Sequence, residues 1–222
     1  MVACLALWAV ASPPARADVT CSARHPRASL VLFHPGGFGG LSAAWLRVAC
    51  RDFARLGFRA VSVEYPLGNY RRAVAFARRA VRRGSFAVGW SAGGTLAAQV
   101  ALEHRVRGAA IVSAPVDFTA YGAIADWLAL GVAPAQRVAL SPLFEPAPDP
   151  VPMLAMYSRG DRVVTYEQGL RFARRVHATF RPIAGCHLCS LLRGHTDTAR
   201  IASWISARIQ RRAGTRVTVT RP

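Results

Sequence analysis

Residues 85–102 read Ser-Phe-Ala-Val-Gly-Trp-Ser-Ala-Gly-Gly-Thr-Leu-Ala-Ala-Gln-Val-Ala-Leu, and no other stretch restricts the fold so tightly. The apolar run Ser85-Phe86-Ala87-Val88 predicts a buried strand, and Thr95 to Leu102 is rich in good helix formers. Between them, Gly89-Trp90-Ser91-Ala92-Gly93-Gly94 leaves room for a turn too tight for residues that carry a Cβ. A strand that feeds a helix through such a turn lifts Ser91 above the sheet edge. It also points the next backbone N–H groups at the same spot.

The rest of the chain alternates in the same way, short β-branched runs with stretches of helical period. Strands are predicted at Ala28 to Phe33, Arg59 to Glu64, Phe86 to Trp90, Gly108 to Val112, Pro152 to Tyr157 and Thr179 to Ile183. Helices are predicted at Leu41 to Leu56, Tyr70 to Val81, after Ser91, Tyr166 to Val176 and Thr198 to Ile209. This alternation implies an α/β fold: a mostly parallel, doubly wound sheet of about six strands covered on both faces, with no large cap domain. Residues 117–150, punctuated by Pro134, Pro142, Pro146, Pro148 and Pro150, sit where a short lid-like insertion would lie. Trp127, Leu128 and Leu130 give it one apolar helical face, although an ordinary crossover helix would read the same way.

Met1 to Ala11 is nearly all apolar, and Ala15-Arg16-Ala17 fits the small-x-small pattern ahead of a signal-peptidase cut. Residues 1–17 are therefore expected to be a secretory leader, which places the protein outside the cell or in its envelope. Residues 18–210 form one domain, and 211–222 a basic flexible tail. The net charge of +18 comes from 29 Arg and no Lys, spread over every predicted helix and not gathered in a stripe with interleaved aromatics. That pattern argues against a specific nucleic-acid partner and leaves only a weak attraction to anionic envelope polymers or lipid. Cys21, Cys50, Cys186 and Cys189 remain after the leader, an even number that suggests disulfides. Three pairings exist; proximity in sequence favours Cys21 with Cys50 and Cys186 with Cys189. No second Cys/His pair with ligand spacing accompanies Cys186-His187-Leu188-Cys189, so no metal is expected. No cofactor is expected either.

In open α/β sheets the chemistry collects at the carboxyl ends of the strands. Here those ends carry His34-Pro35-Gly36-Gly37-Phe38-Gly39-Gly40, then Ser91, then Ser158-Arg159-Gly160-Asp161, and finally Gly194-His195 ahead of the last helix. Ser91, Asp161 and His195 come in the order nucleophile, acid, base. Asp117 is the fallback acid. His187, between two cysteines, is the rival base.

With these residues the chain resembles the α/β-hydrolase superfamily over about residues 28 to 210, closest to small secreted carboxylesterases and lipase-like enzymes and to dienelactone-hydrolase and prolyl-peptidase relatives. His34-Pro35-Gly36-Gly37-Phe38 resembles the His-Gly-Gly-Gly-Phe/Trp loop of hormone-sensitive-lipase-like esterases, with Pro35 departing from it. Val63-Glu64-Tyr65 resembles the family's next strand end. The resemblance implies a serine hydrolase that cleaves small-molecule carboxylic esters through an acyl-enzyme on Ser91. In it, His195 takes the proton, Asp161 orients the imidazole, and the N–H groups of Gly36, Gly37 and Ala92 form an oxyanion hole. Phe38, Trp90 and Trp127 are the expected pocket residues, although Trp90 reads equally well as core. A peptidase of the same fold and a non-catalytic relative that binds anionic polymers are the competing expectations.

Overall fold

The computed structural model describes residues 18–120, 132–192 and 195–216. The expected leader, and Trp127, Leu128 and Leu130 of the expected lid, lie outside these residues. The strands are β1 (Val19–Ser22), β2 (Ser29–Phe33), β3 (Arg59–Val63), β4 (Phe86–Trp90), β5 (Gly108–Val112), β6 (Met153–Ser158) and β7 (Thr179–Ile183). They form one sheet in the order β1-β3-β2-β4-β5-β6-β7, parallel except for β1, which runs antiparallel to β3.

The mostly parallel sheet is as expected, with seven strands where six were expected. The extra one, β1, has only four residues and is at most half-buried, so it lacks the apolar run that marks the interior strands. Edge strand β7 carries Pro182 opposite Tyr157. A proline cannot donate to a ladder, and an edge is where a sheet tolerates one.

Alternation along each interior strand divides the core in two. Val31, Phe33, Ala87, Ala109, Ile111, Ala155 and Tyr157 face one layer. There they meet α2 (Tyr70–Ala80), α3 (Ala92–Leu102) and α5 (Tyr166–Arg175). Leu30, Leu32, Phe86, Val88, Trp90, Ala110, Val112, Leu154 and Met156 face the other layer. That side is covered by α1 (Arg47–Arg55) and α7 (His195–Arg216). Each fully buried Leu or Phe contributes about 1.5–3 kcal/mol. Two short helices, α4 (Arg137–Leu140) and α6 (Cys189–Leu192), complete the set.

Two helix boundaries differ from expectation. The predicted Leu41–Leu56 helix is a 3-10 turn at Ala43–Leu46 followed by α1. The last helix begins at His195 and runs through Arg216, so no break separates a tail at residue 211. Among the described residues no helix is long and apolar enough to cross a membrane.

One feature of this topology creates the site. After β2 the chain goes to β3 on one side, and after β3 it returns to β4 on the other side of β2. The carboxyl ends of β2 and β4 therefore border the crevice where strand order reverses. A staple lies at the sheet edge: Cys21 on β1 is bonded to Cys50 on α1, with Cα atoms 5.7 Å apart.

The Cys21–Cys50 bond closes a loop with a sequence separation of 29, which by loop-closure entropy stabilises the fold by about 3–4 kcal/mol. Replacing both cysteines with Ser should lower Tm by roughly 6–16 °C, as read by differential scanning calorimetry. An unchanged Tm would show that the bond does not constrain the unfolded chain.

Candidate active site

The turn between β4 and α3 is held in a conformation that few residues tolerate. Ser91 has φ +52° and ψ −124°. A Cβ on residue 89 would stand 2.1 Å from the Gly93 carbonyl oxygen, and one on residue 93 would stand 2.1 Å from the carbonyl oxygen of Phe33. At residue 94 a Cβ would lie 2.7 Å from the Ala114 Cβ. Glycine at all three positions lets α3 press against β2 and β5. The Ser91 N–H donates to Val112 O (2.9 Å), which fixes the serine to the end of β5.

Ser91 sits at the head of a chain of hydrogen bonds. Its Oγ lies 2.8 Å from Nε2 of His187, and Nδ1 of His187 lies 2.8 Å from Oδ2 of Asp161. An ionised carboxylate can only accept, so Nδ1 carries the proton and Nε2 accepts from the Ser91 hydroxyl. All three side chains are buried: Ser91 is 1% exposed, and Asp161 and His187 are each 7% exposed. Asp161 is itself fixed, since its Oδ1 accepts from the backbone N–H groups of Val163 and Val164, both at 2.9 Å.

The expected base, His195, is elsewhere. It opens α7, its side chain is 74% exposed, and its Nδ1 lies 2.8 Å from Oδ2 of Asp52 on α1. His187 lies four residues beyond the end of β7 (Ile183), on the same side of the sheet as the ends of β4 and β6. His195, twelve residues beyond Ile183, is favoured in the sequence by its place ahead of the last helix, but the shorter path from β7 delivers His187. Those cysteines are paired, Cys186 with Cys189, with Cα atoms 5.0 Å apart. Asp117, the fallback acid, is committed to a turn. Its Oδ1 accepts from the N–H and hydroxyl of Thr119, and its Oδ2 faces Arg171 at 3.5 Å.

The loop after β2 forms the opposite wall. Gly36 has φ +139°, and a Cβ there would lie 1.8 Å from the Gly40 carbonyl oxygen. The Gly36 carbonyl accepts from the N–H groups of Gly39 and Gly40, so the loop curls back on itself. Tyr65 anchors its root, donating its hydroxyl to His34 O (2.8 Å) and stacking on the His34 ring with centroids 4.1 Å apart. Burial, with the Glu64 charge adding to it, pushes the Tyr65 phenol far above its usual range and keeps it a donor. Among the described residues, no protein acceptor takes the N–H of Gly36, Gly37 or Ala92.

Two expected pocket residues are core instead. Phe38 is fully buried among Tyr65 and Tyr70. Trp90 is 1% exposed, and its Nε1 donates to Ser190 Oγ on α6 (3.3 Å). The third, Trp127, lies outside the described residues. Ser158 and Ser190, which sequence reasoning missed, tie down the segment that carries His187. Serine is too common for its identity alone to have revealed them. Among the described residues, no three His, Cys, Asp or Glu side chains gather to hold a metal ion.

The comparisons with known proteins agree with this architecture. The prolyl oligopeptidase family model matches residues 75–184, just under half of the chain, a span that includes Ser91 and Asp161. The apo form of Thermogutta terrifontis esterase 2 superposes with a TM-score of 0.72 at 20% identity, over 92% of this chain and 91% of that one. A hyperthermophilic esterase from the archaeon Pyrobaculum calidifontis gives 0.72 at 21% identity, over 88% and 85%. Thermogutta terrifontis esterase 2 phosphonylated by sarin gives 0.67 at 21% identity, over 77% and 79%. At such identities the likeness is one of fold. No curated protein matches the sequence.

Substituting Gly93 with Ala should destabilise the protein by about 3 kcal/mol, because its Cβ meets backbone and no flexible side chain. Urea denaturation measures this; a loss under about 0.5 kcal/mol would mean that α3 and β2 are not so closely apposed.

Proposed function

We propose that this chain is a serine hydrolase of the α/β-hydrolase type cleaving carboxylic esters, with Ser91 as nucleophile, His187 as general base and Asp161 as the group that orients it. The observation that carries this reading is the unbroken series Ser91 Oγ, His187 Nε2, His187 Nδ1, Asp161 Oδ2, with 2.8 Å at both hydrogen bonds. A serine hydroxyl is a weak nucleophile until a base removes its proton during attack. His187 takes that proton as Oγ bonds to the ester carbonyl carbon, and Asp161 stabilises the imidazolium that results.

The carbonyl oxygen becomes an oxyanion, for which the N–H groups of Gly36, Gly37 and Ala92 are the donors in reach of the crevice. One such donor typically contributes about 3–4 kcal/mol to the transition state. Collapse breaks the C–O bond, and His187 returns the proton to the departing alcohol. Water then attacks the acyl-Ser91 with His187 again as base. The acid leaves and the hydroxyl is restored.

Esterases of the same fold from Thermogutta terrifontis and Pyrobaculum calidifontis support an ester substrate. The prolyl oligopeptidase match supports a second reading, a peptide or amide substrate at the same Ser91. Comparison of kcat/KM on p-nitrophenyl esters and on p-nitroanilides separates the two. Two joined cysteine pairs support the expectation of an oxidising compartment.

Labelling by a fluorophosphonate probe should be complete in the wild type and absent in Ser91→Ala. His187→Ala should lower kcat/KM by roughly 10⁴-fold or more. His195→Ala, a change at an exposed side chain, should leave it within about threefold. Folded wild-type protein that resists the probe would refute the hydrolase reading, and a larger loss in His195→Ala than in His187→Ala would refute the choice of base.

A further inference from the structure

The segment that carries His187 is the least packed part of the site. Ser91 and Asp161 stand at the ends of strands buried along their whole length. From Ala184 to Leu192, by contrast, only His187 and Ser190 are buried, and the helix that follows the histidine has four residues. Packing alone does little to hold an imidazole in such a stretch. Three other contacts do. Ser158 Oγ donates to Gly185 O. Trp90 Nε1 donates to Ser190 Oγ. The Cys186–Cys189 bond closes a ring around His187 itself, inside which the Cys189 N–H donates to Cys186 O at 3.1 Å.

We propose that Cys186 and Cys189 are positioning residues for His187: their bond holds the imidazole between Ser91 and Asp161, so the ester-cleaving step requires this pair to be oxidised. The inference rests on the serine-hydrolase reading and adds to it a residue pair outside the hydrogen-bonded series. The ring is too short to constrain the whole unfolded chain strongly, but it removes most of the backbone freedom of the two residues it encloses. Catalysis depends steeply on that freedom, since a displacement of about 1 Å costs roughly 100-fold in rate. Trp90, on the strand that ends in the nucleophile, braces the far end of the same loop.

The test compares the double variant Cys186→Ser/Cys189→Ser with Cys21→Ser/Cys50→Ser. Both are read by p-nitrophenyl butyrate kinetics, by fluorophosphonate labelling and by the low-field proton resonance of the His187 Nδ1–H shared with Asp161. The first variant should lose about 100-fold in kcat, with KM within about threefold, and its low-field resonance should broaden or vanish. The second should keep both while its Tm falls. Should Cys186→Ser/Cys189→Ser fail to fold, the same readings are taken on folded wild type treated with a water-soluble phosphine. Phosphine and water convert the disulfide to two thiols and phosphine oxide.

Retention of kcat and of the resonance with both thiols free would overturn the proposal. So would an equal loss of both readings in the Cys21→Ser/Cys50→Ser variant. If oxidised wild type is not labelled at Ser91, the hydrolase reading fails and takes the catalytic claim with it. The resonance distinguishes that outcome from failure of the clamp alone.

Discussion

The carbonyl oxygen of Phe33 stands where a Cβ on residue 93 would need to be, and the Gly93 carbonyl stands where one on residue 89 would need to be. Backbone therefore meets backbone at the junction of β2, β4 and α3, and the close approach forces Ser91 to φ +52°. A non-glycine residue held there costs about 1–3 kcal/mol and persists only if its surroundings over-determine it. They do so here: α3 is buried at every one of its eleven positions, Ala92 to Leu102. The burial that stabilises the central helix also holds the serine in its exceptional conformation.

From that junction the rest of the crevice follows by topology. The loops after β2 and β4 diverge because their strands are neighbours whose chains depart in opposite directions across the sheet. One wall is the glycine loop, rooted by the Tyr65 hydroxyl on His34 O. The other is formed by the loops after β6 and β7, linked by Asp161 and His187. Parallel strands bring residues distant in sequence to the same end of the sheet. Ser91, Asp161 and His187 are thus brought together without any local signal that they belong together.

Most of this was legible from one chain. Six strands announce themselves as short β-branched or apolar runs, and the elbow glycines announce a turn that only one kind of strand-to-helix junction needs. Asp161 was found because it follows β6 directly. The histidine was not, because Gly194-His195 also stands at the start of a helix, and a one-dimensional pattern does not say which histidine the sheet delivers to Ser91. Asp52, which faces His195, lies on α1, far away in sequence. Trp90 was ambiguous, and Phe38 was expected in the pocket, for a related reason: large aromatics suit a pocket and a core equally well, and only their neighbours, Ser190 for the first and Tyr70 for the second, decide it. Strand β1 was missed because its alternation, Val19 and Cys21 half-buried against exposed Thr20 and Ser22, spans only four residues.

The two cross-links act on different scales. Loop-closure entropy gives the Cys21–Cys50 bond about 3–4 kcal/mol of global stabilisation and the Cys186–Cys189 bond only about 2 kcal/mol. By that measure the second is a poor use of two cysteines. Its value lies in where it acts. Strands buried on both faces hold Ser91 and Asp161, and a residue at the end of such a strand has little freedom left to remove. The histidine follows an edge strand, β7, whose middle residues Arg181 and Pro182 are exposed, and an edge has neighbours on one side only. A site assembled from two interior strands and one edge strand is therefore weakest at the edge, and that is where the short ring lies.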